Sequence, residues 1–361
     1  MRCFGVVVAI AALAACGGNT GASGDGGQGS ADAAGPTADA DLKGTTSVVI
    51  TVEPDGSDAA QLVDAIDAAT TSIDMTMYEL SDDDIINALV ARAKAGVKVQ
   101  AVLDGSTGAG AQSGVNNKSF NMSAFTKLTT AGVSAVWSST AFTFTHEKTI
   151  IIDGTSAWIM TMNATTSAPT SNREYLALDT DPADVAEATA IFNADHALQA
   201  IAPSGDLVVV NSNARSELVG LINTATTTLD VEGEEFSDLN QNGVVQAVQN
   251  AANRGVTVHV VIANDSPDQT SIQRMKMAGA KVVVTGPTSS NGTMTNPYIH
   301  AKAVVVDCTG TTCARGFVGS ENFSTGSLSY NRELGVIFTT ASELAKVKAA
   351  IDTDFAAGTP Q

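Results

Sequence analysis

The chain has 361 residues, 44% of them hydrophobic, which is enough for a large packed core or for two related halves. Its formal net charge is −19 and aromatic residues make up only 5%. So acidic a sequence lacks the basic footprint of a nonspecific nucleic-acid binder, while leaving room for a small positive pocket on an acidic body.

The first residues read as an export signal. In MRCFGVVVAIAALAACGG one Arg precedes an apolar stretch, Phe4–Ala15. That stretch falls short of the ~20 residues of a membrane span. LAAC, Leu13–Cys16, resembles the bacterial lipobox, in which the cysteine is lipidated after cleavage. The resemblance implies a signal peptide at 1–15 and an exported protein of the bacterial cell envelope. It would be membrane-anchored through lipidated Cys16 and face the periplasm or the outer surface. An ordinary secretory cut near Ala15 is the alternative. Residues 16–46 are rich in Gly, Ala, Ser, Asp and Thr and poor in apolar residues, the composition of a flexible tether.

From Ser47 the chain is written twice. LVDAIDAATTSIDMTMYELSD (Leu62–Asp82) matches LVGLINTATTTLDVEGEEFSD (Leu218–Asp238) without gaps, and ARAKAGVKVQAVL (Ala91–Leu103) matches NAANRGVTVHVVI (Asn250–Ile262). Each copy reads helix, strand, helix, strand. Apolar residues at helical spacing, such as Leu62, Ile66 and Ala69, alternate with β-branched runs at Val48–Val52, Ile73–Met77 and Val97–Leu103. Gly96 and Gly255 close the second helix of each copy. Further helices are expected at about Pro182–Ala200 and Ser342–Ala356. The division is half 1 at 47–203 and half 2 at 204–361. The fold class is α/β, with two pseudo-symmetric halves, each a sheet flanked by helices.

THEKTIIID (Thr145–Asp153) and YIHAKAVVVD (Tyr298–Asp307) both contain H-x-K-x-x-x-x-D: His146, Lys148, Asp153 and His300, Lys302, Asp307. His146 is followed 17 residues later by Asn163 and 28 later by Glu174; His300 is followed 22 later by Asn322 and 33 later by Glu333. One five-residue insertion between Asp307 and Asn322 explains both differences, and Cys308 and Cys313 lie in it. They are the only cysteines of the body. An exported chain suits a disulfide there, and no histidine or second cysteine pair has zinc-site spacing nearby.

Strand alternation puts His and Lys of each pair on one face. Imidazole, ammonium and Asn amide together suit a phosphate. A glutamate accepting the Nδ1 proton fixes the tautomer of its histidine, and the expectation is that Glu174 and Glu333 each serve the histidine of their own half. Two histidines facing one phosphorus divide attack and proton transfer. His196 and His259 read as structural or surface residues. Tyr78, Glu79, Glu234 and Glu235 end equivalent strands. Capping of the next helix, with Ser81 or Ser237, is the plainer role there, and lining of the cleft the other.

These residues resemble the phospholipase D superfamily, whose signature is a duplicated HxKxxxxD, usually followed by GSxN. The likeness spans nearly all of Ser47–Ala357. It implies a phospholipase D-like fold, a central mixed sheet in each half and an active site at their interface. It also implies phosphodiester cleavage through a covalent phosphohistidine, with no metal and no cofactor. His146 is the implied nucleophile, His300 the acid/base, and Asp153 and Asp307 motif members that hold local structure. GSEN (Gly319–Asn322) fits the pattern; MTMN (Met160–Asn163) departs from it, which predicts a reshaped pocket wall. The expected substrate is a phospholipid, cleaved to phosphatidic acid and headgroup by a monomer at a membrane. Nucleic acid is the alternative substrate, and a non-enzymatic phosphate- or lipid-binding lipoprotein the other reading. Gly105–Ser123, the longest irregular segment, is expected to overhang the site, opposite the shorter Asn264–Ser271.

Overall fold

The computed structural model describes residues 42–107, 116–202, 205–210, 212–265 and 267–361. The expected signal, Cys16 and most of the expected tether lie outside them. Half 1 runs β1 (Val48–Glu53), α1 (Ala60–Ala68), β2 (Ser72–Met77), α2 (Asp83–Lys94), β3 (Lys98–Leu103) and α3 (Asn117–Phe120). It continues with α4 (Met122–Thr130), β4 (Ser134–Trp137), β5 (Lys148–Ile152), β6 (Ser156–Met160), α5 (Ala168–Ser171), β7 (Asn172–Asp179) and α6 (Pro182–His196). Half 2 runs β8 (Val208–Val209), α7 (Ala214–Thr224), β9 (Thr228–Gly233), β10 (Phe236–Ser237), α8 (Val244–Asn253), β11 (Thr257–Ala263) and α9 (Gln269–Met277). Then follow β12 (Lys281–Thr285), β13 (Tyr298–Ile299), β14 (Lys302–Val306), β15 (Arg315–Gly319) and β16 (Phe323–Ser324). The chain ends with α10 (Ser327–Tyr330), β17 (Leu334–Phe338), α11 (Ala341–Ala357) and β18 (Thr359–Pro360).

The two sheets have the same internal order, β4-β3-β2-β5-β6-β7-β1 and β12-β11-β9-β14-β15-β17-β8. The first three strands of each are parallel and the rest antiparallel, so both sheets are mixed. The fully buried β-branched runs of β5 and β14 explain their central places. Asp82, rather than Ser81, caps α2, accepting from the N–H groups of Asp84 and Ile85. In half 2, Asp238 accepts from the N–H of Val244 at the start of α8. The helix expected to reach Ala200 stops at His196. The last residues of the expected tether are packed: Leu42 is buried in the core of half 2, and Thr45 bridges Phe338 on β17. Residues 42–46 therefore belong to the fold and not to a tether. Among the described residues no helix is long and apolar enough to cross a membrane.

Each half has its own core on the outer face of its sheet. A third core is shared. Ile50, Ile151, Ala177, Ile191 and Phe192 of half 1 pack there with Val261, Val305, Val336, Val347 and Ile351 of half 2. Crossed ion pairs frame it. Arg173 holds Asp354 of α11 at 2.6 and 3.2 Å, and Arg332 holds Asp195 of α6 at 2.8 and 3.0 Å. Breaking one partner of a buried pair leaves an uncompensated charge, at a cost of about 3–5 kcal/mol. Arg332→Met should therefore lose about that much stability in urea unfolding. A loss near zero would show that the pair does not hold the halves.

Glu147 lies beside this pair and is almost fully buried, its Oε2 without a hydrogen-bond partner among the described residues. Burial, reinforced by Asp195 and opposed by Arg332, pushes its carboxyl up to about 7. The neutral form is the one the fold accommodates. Its stabilisation is thus full below the ordinary carboxyl range and is lost as pH rises through about 7. The melting temperature should fall between about pH 4.5 and about pH 7, and Glu147→Gln should lessen that fall. The same fall in the variant would exclude Glu147 as its source.

Candidate active site

The site forms because each half lends a strand end to the other. Tyr298 and Ile299 of β13, just ahead of His300, pair with Asn172 and Arg173 of β7. Thr145, just ahead of His146, bridges Arg332, and the N–H groups of His146 and Glu147 donate to the Arg332 carbonyl at 2.8 and 3.0 Å. Each histidine therefore lies against the Asn-Arg-Glu segment of the opposite half. The consequence corrects the sequence reading. His146 Nδ1 bonds Glu333 Oε2 at 2.8 Å, and His300 Nδ1 bonds Glu174 Oε1 at 2.8 Å. The glutamates do serve the histidines, but across the interface.

Both carboxylates are fully buried and multiply held. Glu174 also accepts from Asn172 Nδ2 at 3.1 Å and from the Thr161 hydroxyl. Glu333 accepts from Ser327 Oγ at 2.7 Å and from Asn331 Nδ2 at 2.9 Å. Desolvation alone would raise both carboxyls; His300 and His146 respectively, with these donors, hold them below their ordinary value. Burial, with Lys148 adding and Glu333 opposing, pulls His146 down to about 4. His146 is thus neutral near pH 7, its Nδ1–H given to Glu333 and its Nε2 lone pair left for chemistry.

His146 and His300 line one cavity of about 940 Å³, together with Asn163 and Asn322. The two lysines do not. Lys148 and Lys302 are fully buried and curl back to the carbonyls of His146 and His300, Lys302 at 2.6 Å. They lie under the floor: Lys148 Nζ is 4.9 Å from the centroid of the Tyr78 ring, and Lys302 Nζ is 2.8 Å from Glu234 Oε2. Asp153 and Asp307, named with the catalytic set, are not in the cavity. They sit at the far ends of β5 and β14, roughly 16 Å of strand away. Both have φ of 53°, and both accept from the N–H groups of the turns Thr70–Ser72 and Thr226–Thr228. Desolvation opposes their ionisation, but these donors together hold both carboxyls below their ordinary range. Their work is to pin the start of β2 and β9.

The departure at MTMN reshapes no pocket wall. Met160 is fully buried in the half 1 core. In half 2 a Cβ at Gly319 would lie 2.2 Å from Glu321 Oε2 and 2.6 Å from the Gly335 Cα. Half 1 carries Met162 where half 2 has Glu321, so Met160 is accommodated. Thr161 and Ser320 do the same work, accepting from the N–H of Tyr175 and of Leu334 at 2.9 and 3.0 Å. Cys308 and Cys313 are joined.

Sequence reasoning under-read Tyr78, Glu79, Glu234 and Glu235, all of which line the cavity. The signal was present, since the ungapped repeat sets a tyrosine against a glutamate at a strand end. Asp104, which accepts from the N–H of Thr145 at 2.8 Å and so positions the His146 segment, was missed with only its strand-end place to mark it. No described residue of 105–123 lines the cavity; residues 117–120 and 122–130 are helical, and 108–115 lie outside the described residues. The walls come instead from 143–144, 165–172, 289–292 and 322–331.

Two imidazoles, each oriented by a buried carboxylate, thus open on one cavity together with two asparagine amides. Residues 62–196 and again 218–356 match the family described as "Cardiolipin synthase, PLD-like domain". The chain belongs to this PLD-like domain family. No curated protein matches significantly. Among solved structures, a phosphatidylserine synthase from Haemophilus influenzae Rd KW20 aligns with TM-score 0.63 at 9% identity, over 87% of both chains. A polyphosphate kinase from Porphyromonas gingivalis aligns with TM-score 0.62 at 16% identity, over 84% of this chain but 46% of its own, so the present chain spans about half that protein. The phospholipase D family member Nuc from Salmonella typhimurium aligns at 28% identity and TM-score 0.37, over 44% of this chain and 99% of its own.

Burial brings Lys148 down to about 7, with Glu333 opposing. An anion in the cavity should restore its proton. Sulfate binding at about pH 8 is therefore expected to take up protons, read as a heat that differs between buffers of different ionisation enthalpy. Lys148→Met should reduce the uptake. Equal heats in all buffers would remove Lys148 from the anion site.

Proposed function

We propose that the chain is a phospholipase D-type phosphodiesterase that acts on phospholipids at a membrane surface. The reciprocal His–Glu pairing on a single cavity carries the reading. His146 Nε2 attacks phosphorus while the bond to the leaving alcohol breaks, and His300 gives that oxygen its proton. Water then loses a proton to His300 and attacks the phosphohistidine, releasing phosphatidic acid and neutral His146. An alcohol in place of water would give transfer instead of hydrolysis. Asn163 and Asn322 are placed to donate to the non-bridging oxygens, with Lys148 and Lys302 beneath them. The family description and the phosphatidylserine synthase likeness both point toward lipids. The net charge of −19 and three cavity glutamates disfavour a polyanion such as nucleic acid. Lipidation at Cys16 would bring the cavity to its substrate.

The test offers the chain mixed phospholipid vesicles and, separately, single- and double-stranded DNA, with EDTA present. Phosphatidic acid should appear with the wild type and vanish with His146→Ala or His300→Ala, both of which should stay folded. Cleaved DNA with intact lipid would make the protein a nuclease. Neither product would favour a binding protein, and full activity in either variant would end the two-histidine mechanism.

A further inference from the structure

The two sides of the cavity are not equally open to an anion. The repeat sets TMYEL (Thr76–Leu80) against EGEEF (Glu232–Phe236), so Tyr78 and Glu234 hold equivalent places. On the first side Tyr78 offers an uncharged ring, its centroid 4.6 Å from that of His146. On the second, Glu234 Oε2 stands 2.8 Å from Lys302 Nζ and 3.6 Å from His300 Nε2. Its other oxygen accepts from the Tyr298 hydroxyl at 2.7 Å. A phosphate oxygen bound between His300 and Lys302 would need those same two contacts. Lys302 has no exposed surface of its own, and Glu234 lies between it and the cavity that Glu234 lines. Each side also carries a cavity asparagine with an unpaired amide oxygen among the described residues, Asn163 Oδ1 and Asn322 Oδ1, so neither asparagine is fully satisfied by the protein alone. Asn322 is 7% exposed and lines the cavity, yet its Oδ1 has no hydrogen-bond partner among the described residues.

We propose that Glu234 is a resident competitor for the substrate phosphate: it occupies the His300–Lys302 half of the anion site and must leave Lys302 before a phosphate can span both histidines. The phosphate then enters on the His146 side, where no carboxylate contacts the imidazole Nε2 among the described residues. The inference rests on reading the cavity as a phosphodiester site. Glu79 provides the control. It lines the same cavity, but it accepts from Asn163 Nδ2 at 3.3 Å and not from a lysine. Removing its charge changes the field of the cavity and frees at most one amide N–H of Asn163, while releasing neither a lysine nor an imidazole.

The experiment titrates inorganic phosphate into the full chain by calorimetry at one fixed pH, comparing wild type, Glu234→Gln, Glu234→Asp and Glu79→Gln. Glu234→Gln should bind phosphate at least about tenfold more tightly than wild type. Glu234→Asp, whose shorter side chain retracts from Lys302, should also gain, and it serves as the readout if the glutamine variant does not fold. Glu79→Gln should gain clearly less. Unchanged or weaker binding in both Glu234 variants, an equal gain in Glu79→Gln, or no phosphate binding by any of them would overturn the proposal. Turnover is judged separately. A chain that shows the Glu234 effect but cleaves neither lipid nor DNA keeps this inference and loses the proposed activity; one that cleaves lipid without the effect does the reverse.

Discussion

Everything about the site depends on one exchange: the carboxylate that orients each histidine comes from the other half. Glu333 reaches His146 and Glu174 reaches His300, both at 2.8 Å, because the segment before each histidine pairs with the Asn-Arg segment of the opposite half. A buried carboxylate of this kind is tolerable only when its oxygens are satisfied, and here each has three donors. The crossed Arg–Asp pairs and the shared apolar core then fix the distance between the halves. The contacts that join the halves and those that orient the histidines share one surface, so the interface has little freedom to slide.

Burial governs the charge of His146 and Lys148, whereas pairing governs that of Glu174, Glu333 and Glu234. Both lysines are out of reach of water, and His146 is kept neutral despite its carboxylate partner. The electrostatic complement to a phosphate is therefore stored beneath a polar floor of Tyr78, Glu234 and the two asparagines. Buried donors without competing water are worth more to a bound anion than exposed ones, at the cost of a less stable empty site.

Much of this was legible in the sequence, for identifiable reasons. Thr149–Ile152 and Ala303–Val306 are β-branched or small runs that only a central strand buries well, and the residues before them had to emerge at one strand end. The two copies of His, Lys, Asn and Glu followed from the repeat. Which glutamate meets which histidine did not, because order along the chain does not say how two similar halves cross. Asp153 and Asp307 share the motif but lie at the opposite strand ends, where a left-handed turn needs an acceptor for its neighbours. Leu42 gave no periodic signal, since a single apolar residue in a polar stretch looks like a tether until a partner core is known. Asp104 and Asn121 act through backbone groups that only the folded chain brings together.

Two identical subunits related by a true twofold axis would have to carry the same residue at both copies of every position. This chain does not. Tyr78 stands opposite Glu234, Met162 opposite Glu321 and Leu176 opposite Gly335. Covalent duplication removed the obligation of symmetry while the crossed contacts kept the two copies inseparable. The joined halves are thus free to differ, one histidine beside a ring and the other beside a carboxylate, while each still takes its glutamate from the other half.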